Sequence, residues 1–175
     1  MGRSRVQPAF TLAELVGVMV LVGVLAAAAI PALRSVERTR EHALAREVQR
    51  RLCFARSWAA STGAPVGLSI DVGAGLLTLV RIEQEGEAPE ELPNGAGGAG
   101  GAWRIAASFP SGAVLAVSHG DGSRGDGTIW FGPDGSPQVR AGDGAYIGGF
   151  TDDAAVTVSG PATITVRRLT GLVER

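Results

Sequence analysis

Hydrophobic and polar positions divide this chain into three patterns. From Leu15 to Leu33 no charge interrupts an apolar run of 19 residues, preceded by Glu14 and ended by Arg34. A helix of that length spans about 30 Å, the thickness of a hydrocarbon core. Beyond it Val36, Leu44, Val48, Leu52, Ala55 and Ala59 recur at spacings of eight, four, four, three and four, with arginine and glutamate between them. That period predicts the amphipathic continuation of the same helix, to about Ser61. Gly63 and Pro65 then stop it.

The third pattern has a period of two. Val66, Leu68, Ile70 and Val72 alternate with other residues and predict a half-buried strand; Leu76–Ile82 is its hairpin partner across Gly73-Ala74-Gly75. Glu83 to Ala102, with five glutamates and a glycine run, predicts a mobile acidic loop that buries no apolar face. Trp103, Ile105, Ala107 and Phe109 predict another strand, as do Ala113–Ser118, Thr128–Phe131, Gln138–Arg140, Ala154–Ser159 and Ala162–Leu169, with a last short segment at Gly171–Val173. The stretch 142–149 is too rich in glycine to assign. These elements predict an α+β protein: one long helix, then one antiparallel β-rich domain.

Charge sharpens the division. Residues 1–62 hold nine arginines and four glutamates, +5; residues 63–175 hold seven arginines and thirteen acids, −6. The acidic remainder argues against nucleic-acid binding, which uses basic side chains to neutralise phosphates. The basic face of the amphipathic helix reads as a solvated surface or, more sharply, as one that meets the acidic part of adjacent subunits. On the helix, Arg34/Glu37, Arg38/Glu41 and Glu47/Arg51 stand at spacings that pair.

Candidate chemistry is sparse. Cys53 is the only cysteine, so no disulfide forms within the chain, and a small buried hydrophobe is expected there. Asp121 and Asp126 lie in a glycine-rich turn, but their spacing misses the calcium-loop pattern. The glycine run lacks the GK[ST] of a phosphate loop. His42, His119 and the scattered serines form no catalytic motif, so neither enzyme activity nor a cofactor is expected. Trp58, Trp103 and Trp130 are expected in the core or an interface.

The acid beside the apolar run needs a reason. A secretory signal would have a shorter apolar region, and a plain anchor has no use for Glu14. Ala9-Phe10-Thr11-Leu12-Ala13-Glu14 resembles the processing motif of type IV pilins and type II secretion pseudopilins. The resemblance implies cleavage by a prepilin peptidase between Ala9 and Phe10, N-methylation of Phe10, and an assembly role for Glu14, the fifth mature residue. That family has glycine before the cut, where this chain has Ala9. Pro31 falls at the mature position where the family has proline. It lacks an N–H and clashes with the carbonyl of Ala27, so a kink is expected near 26–31.

A second resemblance covers most of the chain. Ala55-Arg56-Ser57, Gly63-Ala64-Pro65-Val66, Ile129-Trp130-Phe131-Gly132-Pro133-Asp134-Gly135 and Ile164-Thr165-Val166 with Thr170-Gly171-Leu172-Val173 are similar to the GspH/FimT-like minor pilins. The fold implied is type IV pilin-like: a long N-terminal membrane-spanning helix packed on an antiparallel β-sandwich of two small sheets. The organisation implied is a leader at 1–9, a transmembrane and assembly helix at 10–33, an amphipathic extension at 34–62, and a periplasmic domain at 63–175 with a flexible loop at 83–102. The function implied is that of a structural minor pseudopilin of a type II secretion system in the bacterial inner membrane. Its partners would be other pseudopilins, the prepilin peptidase, and an exported substrate or the outer-membrane secretin. The alternative is a minor pilin of a type IV pilus, active in pilus assembly or DNA uptake, with Arg167, Arg168 and Arg175 as phosphate contacts.

Overall fold

The computed structural model describes residues 12–92, 101–109, 113–159 and 162–175, and of 28–38 and residue 115 the backbone alone. The chain is α+β with antiparallel sheets. It divides after Thr39 into two compact units.

One helix, α1, runs from Leu12 to Thr62 and passes through both units. Its backbone stays helical at Pro31, where a kink is expected from the missing N–H. Within the second unit, Leu44, Val48, Leu52, Ala55 and Ala59 are fully buried, as their spacing predicts, and Ala45 joins them. Val36 and the pairs Arg34/Glu37 and Arg38/Glu41 involve side chains outside the described residues. The helix ends at Gly63, whose φ of 69° suits glycine and whose N–H donates to the Ala59 carbonyl at 3.0 Å.

The larger sheet is centred on β1 (Val66–Asp71), which pairs with β2 (Leu76–Arg81) on one side and β6 (Gly127–Phe131) on the other. Beyond β2, the edge is shared by two short strands, β3 (Glu90–Glu91) and β4 (Ala102–Arg104). Beyond β6 lie β7 (Pro137–Arg140) and β8 (Tyr146–Gly149). The smaller sheet has the order β11 (Val173–Glu174), β10 (Thr163–Val166), β9 (Ala154–Val158), β5 (Val114–Ser118). Both sheets and the second half of α1 contribute to one core, which includes Leu52, Leu68, Leu79, Phe131, Val156 and Ile164.

Close packing explains two buried glycines. Gly67 lies opposite Trp130 across the β1–β6 ladder, and a Cβ there would sit 2.7 Å from the indole ring. Gly120 lies under the ring of Phe150, with no room for a side chain.

Three expectations are corrected, and one stretch left unassigned is found to be a strand. The segment 83–102 is not one loop: Glu90 and Glu91 pair with Arg81 and Val80, and Leu92 is buried. Its glycine run at 93–100 lies outside the described residues. The strand expected over Trp103–Phe109 ends at Arg104, and one helical turn, α2 (Ile105–Ser108), follows. There Ile105 turns inward while Ala106, Ala107 and Ser108 remain exposed, so the period of two is broken. Cys53 is exposed rather than buried, because it falls on the face of α1 opposite the Leu52–Ala55 stripe. The unassigned 142–149 contains β8, formed because β7 presents a free edge.

Candidate assembly surface

The expected assembly residues fall on the first unit. Ala9 and Phe10, expected at the cleavage and methylation site, lie outside the described residues, as does the side chain of Pro31. Glu14 is in the first turn of α1 and is exposed. Around it, apolar side chains point outward on every side of the helix. Leu12, Leu15, Val16, Val18, Met19, Val20, Leu21, Val22, Val24 and Leu25 are each more than half exposed. A helix that is apolar all round is stable only when surrounded by lipid or other protein. Among the described residues no helix is long and apolar enough to cross a membrane. Described side chains of this run extend from Leu12 to Ala27, about 24 Å of helix.

In the second unit, the solvent-facing stripe of α1 consists of His42, Arg46, Arg50, Cys53 and Ser57. Arg50 and Arg51 both bind Glu47, at 2.7 Å and 3.0 Å to its Oε1. Arg51 is buried, with its guanidinium 4.7 Å from the centre of the Trp103 ring. The hydrogen bond from Arg50 holds the Glu47 carboxyl below its ordinary range; partial burial opposes this, and the charges of both arginines add to it. The pairing at spacing four matches expectation. That Glu47 serves to neutralise a buried arginine under a tryptophan did not follow from the sequence, because Trp103 is 52 residues away from Arg51.

A lowered folded-state pKa means that Glu47 stabilises the protein above its unfolded-state value and stops doing so as pH falls through the folded one. Glu47→Gln is expected to cost about 2 kcal/mol at neutral pH by weakening charge-assisted hydrogen bonds to Arg51. Urea midpoints of the variant and the parent should converge as pH falls below the ordinary carboxylate range and through the lowered value of folded Glu47.

The polar turn at 119–127 does not gather a metal site. Asp121 accepts the N–H and hydroxyl of Ser123 at 2.8 Å and 2.6 Å, which holds its carboxyl below the ordinary range. Asp126 instead accepts the Val72 N–H at 2.7 Å. Among the described residues no three of His, Cys, Asp and Glu converge to hold a metal ion. The half-open cavity of about 160 Å³ lined by His119, Asp126, Arg140 and Phe150 has its polar groups engaged with the backbone or one another; His119 Nε2 lies 3.0 Å from the Gly125 carbonyl.

The C-terminal arginines are also engaged. Arg167 pairs with Asp153 and Glu174 at 2.9 Å each, Arg168 donates to the Thr151 carbonyl at 2.8 Å, and Arg175 donates to His42 Nδ1 at 2.7 Å. All three are exposed, and each makes at least one contact within the chain. Trp130 is buried, whereas Trp58 stacks on Phe54 and is half-buried.

No family model, curated protein or solved structure matches this chain.

Proposed function

We propose that this protein is a pseudopilin-type structural subunit, held in the bacterial inner membrane by the apolar half of α1 with the β-rich domain in the periplasm, and built into a short filament of a type II secretion system. The observation that carries this reading is the outward apolar surface of α1 around Glu14, continuous with a helix that supports an α+β domain. Ten large apolar side chains from Leu12 to Leu25 are exposed in the isolated chain. Transferring them from water to lipid or to neighbouring helices is worth on the order of 10–20 kcal/mol. Nothing in a soluble monomer offsets such exposure.

Within that surface, the acid has a use. A charge in the hydrocarbon costs on the order of 2.5–3.5 kcal/mol and is normally paired. Cleavage between Ala9 and Phe10 creates an amine one helical turn from Glu14. In a filament, the Glu14 of one subunit meets the Phe10 amine of the next, which neutralises both charges and sets the stagger between helices. The fold class and the buried stripe of α1 are compatible with this reading, and its pilin-like identity rests on the motif around Phe10.

The test is co-expression with a prepilin peptidase, followed by mass spectrometry of the N-terminal peptide. The expected product begins at Phe10 and carries one methyl group. A chain that keeps Met1–Ala9, or is cut near Ala26–Ala29 as a secretory signal would be, overturns the proposal.

A further inference from the structure

One buried imidazole keeps a nitrogen unused. His119 follows β5 and is only 8% exposed. Its Nε2 lies 3.0 Å from the Gly125 carbonyl, an acceptor, so Nε2 carries the proton and, in the neutral ring, Nδ1 presents a lone pair. Nδ1 has no hydrogen-bond partner among the described residues. It is not sealed in the interior either: the one described side-chain nitrogen or oxygen that is both sealed and unpartnered is Arg81 Nε. Nδ1 is therefore reached from the half-open cavity of about 160 Å³ that His119 lines.

Other groups of this cavity are engaged through one atom and keep a second. Asp126 accepts the Val72 N–H with Oδ1, and Asp121 accepts Ser123 with Oδ1, which leaves an Oδ2 on each. Gln138 accepts from Arg140 with Oε1, at 3.2 Å from Nε and 3.0 Å from Nη2, which leaves its own N–H groups. The Thr128 hydroxyl makes no hydrogen bond among the described residues. Acceptors thus stand on the turn at 119–126 and donors on β7, with the half-buried ring of Phe150 as an apolar wall. These walls are tied together without a ligand. The Gly120 carbonyl accepts the N–H groups of Thr151 at 2.7 Å and Asp152 at 3.0 Å, which fixes the turn to the segment after β8.

Charge and size select the ligand. Two carboxylates and one guanidinium line the cavity, so an anion meets Asp121 and Asp126 while a cation meets Arg140. The Arg140 fork is occupied by Gln138, and its Nη1 donates to the Gly144 carbonyl at 2.7 Å, so no bidentate grip on a carboxylate remains. A hydroxyl both donates and accepts, which suits acceptors facing donors. A cavity of about 150 Å³ admits a six-membered ring. We propose that this cavity binds a neutral polyhydroxylated ring, a single sugar residue. Its hydroxyls donate to His119 Nδ1 and Asp126 Oδ2 and accept from Gln138 Nε2 and the Thr128 hydroxyl, and its C–H face lies on Phe150. All of these residues belong to the second unit, so the inference does not depend on the filament reading.

The chain has two histidines, so magnetic resonance of the imidazole nitrogens separates His119 from His42. Full-length protein with isotope-labelled histidine is titrated, in a detergent without a sugar headgroup, with glucose, galactose, mannose and N-acetylglucosamine in turn. At least one is expected to move the His119 Nδ1 signal saturably and leave His42 unmoved, with a midpoint of about 1–10 mM for a ligand of about 12 heavy atoms. Asp126→Asn keeps the oxygen that holds Val72 and changes only the free one, and Thr128→Val removes the hydroxyl from a β-branched side chain. Each should weaken binding about tenfold, the loss of one hydrogen bond, with the urea midpoint unchanged. Equal binding of the methyl glycoside marks the end of a glycan as the source of the ligand, and loss of binding marks a free sugar; both support the site. A His119 signal that none of the four sugars moves overturns the proposal. Saturation by methylammonium or acetate in their place does so too, as does sugar binding unaltered in both variants.

Discussion

Replacing Glu14 by alanine is expected to abolish incorporation into filaments while leaving membrane insertion intact. The two outcomes separate because they draw on different terms. Insertion is driven by apolar area, and removing a carboxylate from the hydrocarbon relieves a cost on the order of 2.5–3.5 kcal/mol. Assembly, on the proposed mechanism, needs the carboxylate to pair with the new amine of Phe10 on a neighbour. Without Glu14 that amine is left unpaired in the apolar layer and the register between helices is undefined. A loss of about 3 kcal/mol per contact lowers each association constant by a factor of about 100, and a filament multiplies that loss over its contacts. The measurement is the fraction of chain in detergent-extracted multimers beside the fraction in the membrane pellet. Glu14→Asp keeps the charge on a shorter arm and should recover part of the assembly. Full incorporation of Glu14→Ala would remove the ion pair from the mechanism.

The second large effect is on the fold. Phe131→Ala is expected to destabilise the protein by about 3–5 kcal/mol, the range for deleting a fully buried aromatic side chain. Phe131 has no exposed surface and lies on β6, opposite Val66 of β1 and Pro137 of β7, in the core shared by α1 and both sheets. Because whole domains are stable by only about 5–15 kcal/mol, this one change removes a large share of the total. Phe131→Leu keeps most of the volume and should cost about 1 kcal/mol. Urea midpoints compare the three proteins. A midpoint unchanged in Phe131→Ala would mean that helix and sheets do not depend on this core.

The elements legible in the sequence are those whose burial follows a local period. Leu44, Val48, Leu52, Ala55 and Ala59 identify the buried stripe of α1 because the period of 3.6 already says which side chains share a face. Val66, Leu68 and Ile70 do the same for β1. Elements whose order depends on a distant partner are not legible in that way. Glu90 and Glu91 have no strand character of their own; they are strand because the edge of β2 is open to them. Glycine-rich β8 is ordered by β7 in the same manner. Trp103 to Phe109 alternates as a strand should, but Arg104 is the last residue in register with β2, and the chain then turns to bury Ile105.

For function, order and composition along the chain already contain the charge-free run, the acid at its start, the motif around Phe10 and the division into a basic and an acidic part. These are one-dimensional properties that need no folding to exist. Which charges remain available is a different matter, and it was settled by packing. The fold directs Arg167, Arg168 and Arg175 to internal partners and commits Glu47 to buried Arg51. It leaves Arg46 exposed, its guanidinium donating to the His42 carbonyl of its own helix. Pairing depends on distances between residues far apart in the chain, and those distances exist only once the helix and the two sheets have packed.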